Sequence, residues 1–189
     1  MTKQISIDLD WTLFDLQPLY EMAFRQGVKY YPPKNEDIHK AYSYIYANQI
    51  TSLLGTNQIN YMPIIHKDIP NVISDVLDTD QYSIYYVSDR VDRNRKNSYE
   101  QLCRSGIKCN ITDVYDYNIP KIEMIQDLIE TQLHFDDSPS VIQNCVRRGI
   151  NCVMISGPKT PFNHYLRNQI KWYSSIVDAL KAECLSKSR

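Results

Sequence analysis

Residues 5–15 read IleSerIleAspLeuAspTrpThrLeuPheAsp, and the fold follows from this stretch. Ile5, Ile7 and Leu9 alternate as a β-strand requires, here a buried one close to the start of the chain. Residues two apart in a strand project to the same side, so Asp8 and Asp10 converge at its carboxyl end. Burying two unpaired carboxylates is costly unless a cation or hydrogen-bond donors compensate. With the hydroxyl of Thr12 beside them, the pair suits a divalent cation and phosphoryl transfer.

Further along, similar strand ends recur. The run 82–88, TyrSerIleTyrTyrValSer, closes on the hydroxyl of Ser88, and Lys121 follows Pro120 at the start of a helical pattern. Residues 133–137, LeuHisPheAspAsp, form a short apolar strand ending in paired acids. Strands at 3–9, 82–88, 131–136 and 150–155, with a weaker one near 107–112, alternate with helical segments. That pattern predicts an α/β fold, a doubly wound (Rossmann-like) parallel sheet. Ligands of such sheets bind at the carboxyl ends of the strands, where Asp8, Asp10, Ser88, Asp136 and Asp137 all fall. After the paired acids a helix is expected, capped by Asp137 or Ser138, with Pro139 in its first turn and Gly149 at its end. Val141, Ile142, Cys145 and Val146 would form its apolar face. After Pro120, Ile122, Ile125 and Ile129 form another stripe, leaving Lys121 at the helix start.

Residues 16–66 are more than the core sheet needs. Two helical patterns, 17–29 and 35–54, flank TyrTyrProProLys at 30–34, which reads as a small inserted helical cap. The core would then comprise 1–15 and 67–189, re-entered through a helix near 70–79 that opens on Pro70.

AspXxxAspXxxThr with the following LeuPhe resembles the first signature of the haloacid dehalogenase superfamily of phosphohydrolases. Ser88, Lys121 and the pair Asp136 and Asp137 match its later signatures in order, over residues 3–156. Pro161, Phe162, Asn163, Arg167 and Trp172 resemble the tail of its 5'(3')-deoxyribonucleotidase-like branch. The resemblance implies that Asp8 is the nucleophile, forming an aspartyl-phosphate, and that Asp10 is the general acid and base. It implies that Thr12, Ser88, Lys121 and backbone amides hold the phosphoryl group. Mg²⁺ would be held by Asp8, the backbone carbonyl of Asp10 and the paired acids, with the choice between Asp136 and Asp137 left open. The expected substrate is a nucleoside monophosphate or a similar small phosphate ester.

One departure stands beside the nucleophile. Trp11 occupies a position that is usually glycine in the superfamily, and it can either pack under the cap or stack on a substrate base. Ser88, Asp89 and Arg90 also resemble the SerGlyArg of polynucleotide 3'-phosphatases, so a nucleic-acid end is a second substrate class. The cluster Arg90, Arg93, Arg95 and Lys96 would then track phosphates, although its shortness favours a solvated helix start. A non-catalytic phosphate- or nucleotide-binding module is the alternative of another class. Tyr20, Tyr42, Tyr44 and Tyr46, among fifteen tyrosines, belong to the cap. His39, His66, His134 and His164 lack metal-ligand spacing, and His134 reads as structural.

Composition sets the outer limits. The 189 residues are 43% hydrophobic, enough for one core and an insertion, and the net charge of -1 offers no global attraction to nucleic acid or anionic lipid. Five cysteines without a CysXxxXxxCys pair read as reduced thiols. No apolar run approaches the roughly 18 residues of a membrane span, and no signal-peptide pattern opens the chain, so the expected compartment is the cytoplasm.

Overall fold

The computed structural model describes residues 2–19, 61–88, 95–115, 119–155 and 170–186. Within them lies a six-stranded parallel sheet: β1 (Lys3–Asp8), β2 (Tyr82–Val87), β3 (Val114–Tyr115), β4 (Leu133–Asp136), β5 (Cys152–Ile155) and β6 (Lys171–Tyr173). Their spatial order is β3-β2-β1-β4-β5-β6. This is the doubly wound order, in which the direction of winding reverses between β1 and β4. Because every strand is parallel, all carboxyl ends open on one edge, and a crevice forms where the winding reverses.

Helices cover both faces. On one, α1 (Ile69–Leu77) buries Ile69, Val72, Ile73 and Val76, and α5 (Ile176–Leu180) buries Ile176, Val177, Ala179 and Leu180. Both join the main core with Ile5, Ile7, Leu9 and Leu102, the last from α2 (Arg95–Arg104). On the other, α4 (Pro139–Arg147) packs Ile142 and Cys145 against Cys152 and Met154. There α3 (Lys121–Glu123) widens into a π turn, Met124–Leu128, which buries Ile125 and Ile129 against Val87. β1 is central and buried on both faces from Ile5 onward, as a strand with neighbours on either side must be.

Several expectations hold in place and shift in extent. Pro70 stands in the first turn of α1, Pro139 opens α4 after Ser138, and Gly149 follows α4 with a φ of 70°. β4 and β5 begin two residues later than the pattern indicates. The weak strand expected at 107–112 is a correction. Asn110 and Asp113 cap one another around a 3₁₀ turn at Ile111–Asp113, and only Val114 and Tyr115 pair with β2. β6 has no counterpart in the sequence reading; it is a three-residue edge strand whose Trp172 is exposed. Of the four residues expected on the apolar face of α4, Val141, Ile142 and Cys145 pack inward, whereas Val146 is 38% exposed.

Of the inserted segment the described residues include its two ends; residues 17–19, the start of the first expected cap helix, are helical, and the rest of both cap helices with their tyrosines lie outside the described residues. At those ends the chain leaves and returns side by side. Phe14 bridges antiparallel to Ile64, the Asp15 amide donates to the Pro63 carbonyl at 2.9 Å, and the Ile65 amide donates to the Leu13 carbonyl at 2.8 Å. Leu16, Leu19 and Met62 anchor this junction in the main core. Among the described residues no helix is long and apolar enough to cross a membrane.

Candidate active site

The register of β1 and β4 builds the centre of the site. Ser6 lies opposite His134, and Ile7 opposite Phe135. Strand periodicity then puts Ser6 and Asp8 on one face of β1, and His134 and Asp136 on the same face of β4. A polar row crosses the middle of the sheet and ends in two carboxylates at the crevice. Asp137, the next residue, also reaches it: Asp8, Asp136 and Asp137 each offer an oxygen within 4.8 Å of the others, and all three are buried.

Lys121 closes this cluster from the start of α3. Its ammonium, itself buried, donates to Asp8 Oδ1 and lies 2.6 Å from Asp136 Oδ2. The two carboxylates it joins are unequal. Asp136 is wholly buried, which opposes its ionisation, but Lys121 and His134 Nε2 outweigh burial and hold its pKa down to about 2. Its other oxygen accepts from the Ser138 amide at 2.7 Å. Asp8 has a weaker set of donors besides Lys121, with the Thr12 hydroxyl at 3.4 Å from its Oδ2. Burial pushes its pKa well up; Lys121 pulls against this, and Asp136, Asp137 and Asp10 push it further up.

The turn after β1 places the remaining groups. Amides of Leu13 and Phe14 both donate to the Leu9 carbonyl, and the Trp11 amide donates to the Phe14 carbonyl, each at 2.9 Å. To close this turn Trp11 adopts a φ of 63°, the left-handed conformation that glycine takes without penalty and other residues pay about 1–2 kcal/mol to adopt. Its ring is partly buried against the main core. Thr12 is buried beneath the turn, whereas Asp10 is only half-buried at the crevice. Ser88 follows β2 and its hydroxyl donates to Asp10 Oδ2 at 3.5 Å.

Asp8, Asp10, Thr12, Ser88, Lys121, Asp136 and Asp137 thus meet at one edge, as the sequence reading expected. The carboxylate of Asp10 stands outside the three-acid cluster. Asp89, Arg90, Arg93, His39, His164 and the stretch with Pro161, Phe162, Asn163 and Arg167 lie outside the described residues. Arg95 and Lys96 have partners within the protein. Arg95 Nε donates to the Ile111 carbonyl at 2.8 Å and its guanidinium lies 5.6 Å from the centre of the Tyr115 ring, while Lys96 faces Glu100 at 3.9 Å.

What the sequence reading missed is the polar row beneath the acids. In the sequence His134 reads only as structural and Ser6 carries no mark, yet Ser6 Oγ lies 2.8 Å from His134 Nδ1 and His134 Nε2 lies 3.0 Å from Asp136 Oδ2. The signal was there: a serine and a histidine each stood two residues before an acid in strands destined to be neighbours.

A parallel sheet in this order, with acids at the ends of its two central strands, has the fold of haloacid dehalogenase-like hydrolases. A hydrolase of that kind from Streptococcus pneumoniae superposes with a TM-score of 0.63 at 16% identity, over 90% of this chain and 92% of that one. The HAD hydrolase YfnB of Bacillus subtilis, solved bound to magnesium, gives 0.61 at 15% identity over 96% and 97%. A class C acid phosphatase from Bacillus anthracis gives 0.55 at 18% identity, over 83% of this chain and 67% of that one. At such identities the likeness establishes the fold. No protein-family profile and no curated protein sequence matches the chain.

Proposed function

We propose that this protein is a Mg²⁺-dependent phosphomonoesterase acting through an aspartyl-phosphate on small phosphate esters, nucleoside monophosphates first among them. The observation that carries the reading is the buried cluster of Asp8, Asp136 and Asp137 with Lys121 set into it. Three buried carboxylates beside one ammonium are an excess of negative charge that a hard divalent cation would balance. The donor set fits magnesium, being all oxygen, with the nearest imidazole already bonded to Asp136. Asp8, Asp136 and Asp137 would hold it, with the Asp10 carbonyl. Bound there, the cation supplies Lewis-acid neutralisation of the phosphate and of the acids around it.

The chain's own groups divide the rest of the work. One Asp8 oxygen attacks phosphorus in line as the ester oxygen leaves, and Asp10, half-exposed at the crevice, gives that oxygen its proton. Asp10 then takes a proton from the water that attacks the aspartyl-phosphate and frees Asp8. Lys121 offsets charge on both the nucleophile and the phosphoryl oxygens, to which Thr12 and Ser88 donate hydrogen bonds. Trp11, Asp89 and Arg90 are left to contact the rest of the substrate. The nucleotide preference follows the tail and cap resemblance, whereas Arg95 and Lys96 lend no support to a nucleic-acid end because their charges have partners in the protein.

Phosphate release should be measured over 5'- and 3'-nucleotides, sugar phosphates and end-phosphorylated oligonucleotides, with and without Mg²⁺. Nucleotide turnover that needs the cation and vanishes in Asp8→Asn is the expected result. Turnover confined to other small esters would reject the substrate and keep the chemistry; Mg²⁺-dependent phosphate binding without turnover of any ester would favour a binding module.

A further inference from the structure

We infer that Ser6 and His134 are positioning residues for the metal-binding carboxylate Asp136, acting through a directional chain of hydrogen bonds that starts at Thr131. The inference rests on the reading of Asp136 as a metal ligand. It concerns residues that touch neither the cation nor the substrate.

The directions follow from what each group can do. Asp136, ionised, can only accept, so His134 Nε2, 3.0 Å from its Oδ2, must carry a proton. The Thr131 hydroxyl donates to Ser6 Oγ at 3.0 Å, so the serine's own proton is directed to the ring's other nitrogen, Nδ1, 2.8 Å away, which accepts it. Each link fixes the next, and the outcome is one tautomer and one ring orientation for His134.

Serine, histidine and aspartate in a line also occur in nucleophilic catalysis, but here the serine is sealed. Ser6 and His134 are 0% exposed in the two central strands, so no substrate reaches the hydroxyl. The chemistry runs outward instead. With Oδ2 held by His134 and Oδ1 by the Ser138 amide, Asp136 is fixed in rotation before a cation arrives. An oriented carboxylate binds metal more tightly than one that must be ordered on binding, and outer-shell partners of this kind are typically worth about 10- to 100-fold in metal affinity. The register that pairs Ser6 with His134 makes the device a property of the β1–β4 contact itself.

The test is Mg²⁺ binding to the purified, folded protein by calorimetry, with Mn²⁺ paramagnetic resonance as a second probe, neither of which requires turnover. Ser6→Ala and His134→Leu should weaken binding about 10- to 100-fold, and His134→Gln, which can return an N–H towards Asp136, should recover most of it. Imidazole ¹⁵N shifts of the wild type should show His134 as the Nε2–H tautomer. If His134→Leu fails to fold, Ser6→Ala decides, since it removes one oxygen and keeps the ring. Equal Mg²⁺ affinity in wild type and Ser6→Ala, or an Nδ1–H tautomer, overturns the inference alone. A wild type that binds neither cation overturns the metal-dependent reading as well.

Discussion

Replacing Lys121 with methionine removes the ammonium and keeps most of the chain's volume, leaving Asp8 and Asp136 facing one another in a buried site. Their oxygens lie within 4.8 Å, and two unit charges at that distance repel by about 3 kcal/mol at an effective dielectric of 20. Taking one partner from a buried ion pair typically costs about 3–5 kcal/mol, and here one lysine serves two acids. The expected loss at pH 7 without metal is therefore about 3–5 kcal/mol, read as a shift of the urea midpoint at constant slope. Two conditions should shrink it. Asp8 already has a raised pKa, and without Lys121 it rises further, so the folded variant binds more protons than the unfolded chain; stability is then regained as pH falls through that raised value. Mg²⁺ at one saturating concentration should shrink the loss too, by about 1.4 kcal/mol for each tenfold by which the cation, no longer repelled by the ammonium, binds the variant more tightly than the wild type. A loss under about 1 kcal/mol, or one that neither acid nor Mg²⁺ reduces, would refute the claim that Lys121 is the counterion of this cluster.

Other expectations are more local. Trp11→Gly should be more stable than Trp11→Ala by about 1 kcal/mol, reversing the usual order, because both lose the ring and only glycine relieves the left-handed backbone; thermal or urea unfolding of the pair checks this. Tyr86 buries its hydroxyl with no partner among the described residues, so Tyr86→Phe should leave stability unchanged or raise it by up to about 1 kcal/mol in the same assay. Activity of Ser88→Ala should fall about 10²- to 10³-fold in kcat if its hydroxyl serves the transferring phosphoryl group, and an unchanged kcat would remove it from that role.

The strands carrying chemistry were legible because chemistry and pattern coincide in them. Alternating isoleucines lead to Asp8, TyrSerIleTyrTyrVal leads to Ser88, and LeuHisPhe leads to the paired acids, so apolar periodicity and a terminal polar group mark the same place. β6 carries no such mark: it is three residues long, lies at the sheet edge, and leaves Lys171 and Trp172 exposed, so nothing enforces alternation. The π turn at Met124–Leu128 escaped for another reason. Its stripe of Ile122, Ile125 and Ile129 fits an α-helix as well, and only packing against the sheet selects the wider turn. The segment around Asn110 misled because Ile107, Cys109 and Ile111 alternate, whereas the reciprocal cap between Asn110 and Asp113 fixes the backbone by hydrogen bonds that hydropathy does not see.

The same difference explains why two acids were found at once and the row beneath them was not. Asp8 and Asp136 stand out because charge at the end of an apolar strand is expensive. Ser6 and His134 are neutral, and within one strand each is an isolated polar residue of a kind common in cores. Their meaning lies in the pairing of β1 with β4, which is not sequential, since two other strands come between them in the chain. That pairing is also where the winding of the sheet reverses, and the helices following the two strands diverge there to opposite faces. The crevice that admits a ligand and the register that aligns Ser6 with His134 therefore have one cause. A fold wound in another order could keep every signature residue at the end of its strand and still lose the chain of hydrogen bonds that orients Asp136.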